Sequence, residues 1–229
     1  MIEPEPFAVE VNDQESVTAL LYSAAKKHRA GFTVVLGHGA GANQLSGFIR
    51  LFAAGLAERG FDALTFNFLY TERGRRLPDP KARLESCYRA VINAAVKHPN
   101  LKKNRLVIGG KSMGGRIASQ VAAVEGNRVA GLVFLGYPLH PPGRPDKLRA
   151  EHLKDIRAPM LFAQGARDAF GTAEEIRAVI KKLRLSATLY VIEGGDHSFK
   201  VPKSAGVLQQ EVYEKVMDQV AEWSQNRLR

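Results

Sequence analysis

Gly110-Lys111-Ser112-Met113-Gly114 places a serine between two glycines, each two residues away. A serine hydroxyl at its ordinary pKa is a weak nucleophile, so acyl chemistry requires a base to take its proton and an acid to orient that base. Between a strand and a helix, the G-x-S-x-G pattern forms a sharp turn that lifts Oγ clear of the backbone. Glycine suits the flanking positions because a Cβ there would collide with the neighbouring chain. Such a string alone is also a common glycine-rich turn, so the rest of the sequence must supply partners. It does so at later predicted strand ends, in the order serine, acid, histidine: Asp168 closes Gln164-Gly165-Ala166-Arg167-Asp168, and His197 closes Gly194-Gly195-Asp196-His197. Each follows a predicted strand, so both open onto the sheet edge that carries Ser112. Taken singly, Asp168 reads as a turn-capping aspartate and His197 as a surface-loop histidine; their joint order and position favour a Ser112, His197, Asp168 triad. Asp146, in the loop after the preceding strand, is the rival acid. Asp196 adjoins His197 and its side chain should point elsewhere, while His28, His98, His140 and His152 read mainly as surface residues.

Acyl transfer also needs hydrogen-bond donors for the developing oxyanion. The backbone N–H of Met113, the residue after the serine, is one. The second must come from the loop Gly37-His38-Gly39-Ala40-Gly41-Ala42, with Ala40 the first choice and Gly41 the next. The segment Tyr70-Thr71-Glu72-Arg73-Gly74-Arg75-Arg76 follows a strand whose end faces the same edge. Arg73 or Arg76 is therefore a candidate to bind a substrate carboxylate or phosphate, against the plainer reading of a solvated basic loop.

The elements that must position these residues alternate between short β-branched or aromatic runs and longer segments of helical periodicity, which is the signature of an α/β fold with a largely parallel sheet. Residues 7–11 and 18–22, joined by Asn12-Asp13-Gln14-Glu15, predict an antiparallel hairpin at a sheet edge. Strands are predicted at 32–36, 61–68, 105–109, 129–135, 160–164 and 188–192. Helices are predicted at 45–59, 81–97, 114–125, from the capping pair Thr172 and Glu175, and along a closing stripe of Leu208, Val212, Val216, Val220 and Trp223. In the first helix Leu45, Phe48, Ile49, Phe52 and Leu56 share a face. The connection 139–158 is proline-rich and short, which leaves little material for a lid and favours short acyl esters over long-chain lipids.

With 229 residues, of which 45% are hydrophobic, the chain suffices for one domain over residues 1–229. No run approaches the roughly 20 apolar residues of a membrane span, and the acidic, proline-broken opening differs from a signal peptide. The expectation is a soluble, cytoplasmic protein. The net charge of +10 comes from 33 Lys+Arg against 23 Asp+Glu, in short clusters without interleaved aromatic residues, which argues against nucleic-acid binding. The single cysteine, Cys87, falls in a predicted helix and reads as packing. Two other motifs fail on spacing: a P-loop would need glycine where Arg105 stands, and a dinucleotide fingerprint beginning at Gly37 lacks the acid after the next strand. No metal or organic cofactor is called for, and oligomeric state is not legible.

Over nearly its whole length the sequence resembles the α/β-hydrolase superfamily, in particular its small, capless, dienelactone-hydrolase-like members. The stretches Gly-Lys-Ser-Met-Gly-Gly-Arg at 110–116, Gly-Tyr-Pro-Leu-His-Pro-Pro-Gly at 136–143, Gln164 to Asp168 with Phe170-Gly171, and Gly-Asp-His-Ser-Phe at 195–199 are similar to a branch that includes the hydrolase-like domain of a non-specific-lethal chromatin complex subunit. The resemblance implies an eight-stranded sheet whose second strand is antiparallel, with Ser112, Asp168 and His197 as the triad. Dienelactone hydrolases proper carry a cysteine nucleophile, so the serine here departs from their lactone chemistry. The expected function is hydrolysis of a small carboxylic ester through an acyl-enzyme. The alternative from another class is a hydrolase-fold binding or scaffold protein in a larger assembly.

Overall fold

The computed structural model describes residues 2–125 and 128–228. Eight strands form one sheet: β1 (Glu5–Asn12), β2 (Glu15–Tyr22), β3 (Phe32–Gly37), β4 (Asp62–Phe66), β5 (Arg105–Lys111), β6 (Gly131–Leu135), β7 (Met160–Gly165) and β8 (Ala187–Ile192). Their spatial order is β1-β2-β4-β3-β5-β6-β7-β8. The strand β2 is antiparallel to both neighbours, and every pairing from β4 to β8 is parallel. The α/β-hydrolase fold expected from the sequence is therefore present, with the antiparallel second strand and the edge hairpin.

The central strands are apolar without interruption because helices cover both faces of the sheet. Successive residues still alternate between two cores, as the two-residue strand period requires. Val35, Ile108, Leu132, Phe134 and Phe162 enter the core shared with α3 (Lys81–Lys97), α4 (Met113–Glu125) and α5 (Ala173–Leu183). Val34, Leu36, Val107, Val133 and Leu161 enter the opposite core, shared with α1 (Gly47–Glu58) and α6 (Gln209–Arg227). Thr172 caps α5 through a reciprocal bond pair with Glu175, as the sequence suggested. Cys87 is buried in α3, where burial pushes its thiol up to about 12.

Three local expectations are corrected. Leu45 lies ahead of α1 and is 58% exposed, and Leu208 caps α6 and is 69% exposed, because both helices start after the apolar pattern does. The segment read as a basic loop after β4 begins with one helical turn, α2 (Leu69–Glu72), too short for any periodicity to mark it. His140 and His152 are not surface residues. His140 is buried, with its ring nitrogens 2.8 Å from the Pro141 carbonyl and 3.2 Å from Glu175. His152 is half-buried, 2.8 Å from Ser119 Oγ. Between β6 and β7 the chain forms only turns and a short 3₁₀ stretch (Glu151–Asp155), so no large cap covers the sheet. Among the described residues no helix is long and apolar enough to cross a membrane.

Candidate active site

Parallel strands bring the C-terminal ends of β3, β5, β7 and β8 to one edge, the usual location of sites in α/β sheets. At the end of β5 the chain turns sharply into α4, with Ser112 at φ 51°. A positive φ is costly for a serine, and the cost is borne only where the surroundings enforce it. Two glycines show how closely the chain passes: a Cβ on Gly110 would lie 2.1 Å from the Gly37 carbonyl oxygen, and one on Gly114 2.2 Å from the same atom. The strand β3 thus packs directly against the turn, which is why these positions exclude side chains.

His197 reaches the serine from the loop after β8. Its Nε2 lies 2.8 Å from Ser112 Oγ, and its Nδ1 lies 2.7 Å from Asp168 Oδ2. The loop is held by the Asp196 carboxylate, which accepts from the amides of Ser198 and Lys200 and so points away from the imidazole. The Phe170 ring lies 4.3 Å from the imidazole centroid. Asp168 is 1% exposed; its Oδ1 accepts from the Phe170 amide at 2.8 Å and its Oδ2 from Gln164 Nε2 at 2.9 Å. Asp146, the rival acid, is 64% exposed and pairs with Arg144 at 3.3 Å on the outer loop.

Three supporting residues escaped the sequence reading. Gln164 is fully buried and bridges Asp168 to the turn after β6, accepting from the Tyr137 amide at 2.8 Å and donating to the Gly171 carbonyl at 2.7 Å. Lys111 curls back and donates from Nζ to the His197 carbonyl. Burial lowers its ammonium to about 8, with Asp168 and Asp196 acting in the opposite sense. His38, buried in the loop after β3, pairs through Nδ1 with the Gly39 carbonyl at 2.8 Å and accepts at Nε2 from the Phe68 amide at 3.3 Å, tying that loop to the one after β4. Burial holds its imidazole down at about 4, in the neutral form that this bonding needs.

Two cavities meet at Ser112. The larger, about 590 Å³, is mostly apolar and is walled by Phe48, Leu51, Phe170 and Tyr213, with His197 at its base. The smaller, about 240 Å³, contains Met113, Leu84, Pro138, Arg116 and Arg149. Ala40 lines both and Met113 the smaller; Gly41 lines neither. Arg73 and Arg76 line neither, so the two arginines offered as substrate ligands are not brought to Ser112 in this arrangement. Arg73 is drawn off by Glu15 of β2, and Arg76 is exposed.

The sequence matches the model of the alpha/beta hydrolase domain over residues 30–225. Among solved structures, a dienelactone hydrolase from Anabaena variabilis superposes with a TM-score of 0.76 at 23% identity, covering 99% of this chain and 100% of that one. A serine hydrolase homologue from Coxiella burnetii gives 0.75 at 18% identity over 97% and 98% of the two chains. A Xanthomonas campestris serine hydrolase without a lid gives 0.74 at 16% identity over 97% and 96%. At these identities the likeness is one of fold, and the match of the family model over most of the chain supplies the identification: the protein belongs to the alpha/beta hydrolase domain family.

Proposed function

We propose that the protein hydrolyses carboxylic esters of small substrates through an acyl-enzyme on Ser112. The observation that carries this reading is the unbroken hydrogen-bonded chain from Ser112 Oγ to His197 Nε2, and from Nδ1 to Asp168, with donor–acceptor distances of 2.8 and 2.7 Å. In the first step Oγ attacks the substrate carbonyl while Nε2 takes the hydroxyl proton. The imidazolium, steadied by Asp168, passes that proton to the departing alcohol as the C–O bond breaks. In the second step water attacks the acyl carbon, Nε2 takes its proton, and the proton returns to Oγ as the acid leaves. The amides of Met113 and Ala40 are the assigned oxyanion donors, and Ala40, which borders both cavities, is preferred to Gly41. The absence of a large cap between β6 and β7 and the open apolar cavity suit compact esters.

The test is covalent labelling with a fluorophosphonate, followed by turnover of short p-nitrophenyl esters. The wild-type protein should be labelled and Ser112→Ala should not. Equal labelling of the two, or inert wild-type protein, would return the chain to the role of a binding or scaffold module.

A further inference from the structure

The smaller cavity beside Ser112 carries an unbalanced charge. Arg116 lies one helical turn beyond the serine on α4, its amide donating to the Ser112 carbonyl at 3.0 Å. Both residues line the smaller cavity. The Arg116 guanidinium is half-buried, and its Nε is enclosed without a hydrogen-bond partner among the described residues. Arg149 lines the same cavity from the opposite loop, close enough that its like charge adds to burial in lowering the Arg116 guanidinium. Neither arginine forms an ion pair among the described residues. Of the other charges in the cavity, Asp79 accepts from Arg75 through Oδ1 at 2.6 Å, while its Oδ2 lies 3.6 Å from Arg83 Nε without a hydrogen bond, and Lys81 lies 3.5 Å from Glu85. Glu85 also acts on Arg116, as the smallest of the influences on it. Two guanidiniums are therefore held together beside the nucleophile with no counter-charge of their own.

We propose that this cavity is a subsite for an anionic group on the acyl portion of the substrate, held by Arg116 and Arg149. The proposal rests on the reading of Ser112 as nucleophile. The acyl side follows from the lining: His197, which must protonate the departing alcohol, borders the larger apolar cavity, whereas Met113 borders the smaller one. The alcohol thus leaves through the apolar cavity and the acyl chain extends along α4 toward Arg116. A carboxylate is the simplest group that fits, since planar guanidiniums pair with it in bidentate fashion. The substrate class is then the monoester of a short dicarboxylic acid.

The test compares p-nitrophenyl hemiadipate with p-nitrophenyl hexanoate, each kcat/KM divided by the ester's own alkaline hydrolysis rate. A third arm, the hexanoate ester of 4-hydroxybenzoate, carries the carboxylate on the leaving group. The expected result is a preference for the hemiadipate that falls about tenfold or more in Arg149→Gln and in Arg116→Gln, as for loss of a charge-assisted bond. Arg149 is exposed, so its variant tests the idea without disturbing the core, and Arg76→Gln should keep the wild-type ratio. Taking ratios within each variant cancels any common loss of activity. No hemiadipate preference in the wild type, an unchanged ratio in Arg149→Gln, or an arginine-dependent preference in the leaving-group arm would overturn the proposal. Fluorophosphonate labelling of the same samples separates the two readings: labelled protein without the preference loses only the anion subsite, while unlabelled wild type loses both.

Discussion

Two arginine-rich regions of this molecule look alike in composition and differ in what their charges do. On the flank near β2, Arg73 and Arg83 converge on Glu15 while Arg75 and Arg83 approach Asp79, so each of these three cations meets a carboxylate. At the sheet edge, Arg116 and Arg149 face the cavity under Ser112 with no carboxylate partner among the described residues. The first cluster is dense in sequence and the second is split by 33 positions, 149 minus 116. Charge density along a chain thus reports where cations lie. Whether they are free to bind something depends on counter-charges from other segments, such as a glutamate 58 residues before Arg73.

The largest effect that bears on this contrast comes from the residues that would make the sheet edge reactive. His197→Ala should lower kcat by about 10⁶-fold, and Asp168→Asn by about 10⁴-fold, since the acid orients the base while the oxyanion donors and binding remain. Asp146→Asn should leave kcat unchanged, because that carboxylate sits on Arg144 in an exposed loop. Steady-state kinetics on a short p-nitrophenyl ester would decide all three; a large loss in Asp146→Asn would remove Asp168 from its assigned role.

The same contrast explains what the sequence could and could not disclose. The meeting of Ser112, Asp168 and His197 at one sheet edge was legible because strand ends and chain order are themselves sequence properties. The strands were legible because β-branched runs such as Val34-Val35-Leu36 are local. Gln164, Lys111 and His38 were not, since each acts by reaching a loop from a different part of the chain. Arg116 stood in full view inside the Gly-Gly-Arg that follows the serine, but its lack of a partner is visible only once Arg149 lies across the cavity from it. Leu45 and Leu208 misled because apolar spacing continues past a helix end, and nothing in the spacing alone marks where backbone bonding begins.

A smaller effect separates the regions by acid. His38 in the site loop and His152 against α4 are both held at about 4, each by burial first, His152 also by the nearby charges of Lys81 and Arg116. Between pH 6.5 and 4 the unfolded chain binds protons that these folded imidazoles refuse. Their contribution to stability is therefore fully present above 6.5 and is lost as pH falls toward 4. Urea denaturation at several pH values should give a shallower slope across that window in His38→Asn than in the wild type. An unchanged slope would mean that His38 is not buried in its neutral form.

The smallest effect belongs to the flank, and it sharpens the contrast by being small. Arg73 is half exposed and pairs with Glu15, so solvent screens much of the attraction. Burial opposes the ionised form of Glu15, yet its hydrogen bond from Asn12 is the largest influence and, with Arg73 and Arg83, holds its carboxyl below the usual value. Removing Arg73 alone leaves Glu15 with Asn12 and Arg83. Arg73→Gln should thus leave kcat/KM for neutral and anionic esters unchanged and lower the melting temperature only slightly. That small loss should shrink further when salt is raised from 0.05 to 0.5 M, where the Debye length falls well below about 10 Å. Arg149→Gln should do the reverse, altering the ratio of anionic to neutral ester turnover more than the melting temperature. If Arg73→Gln instead changed that ratio, the flank would have to reach the substrate after all, and the ion pair with Glu15 would be a resting contact rather than its fixed partner.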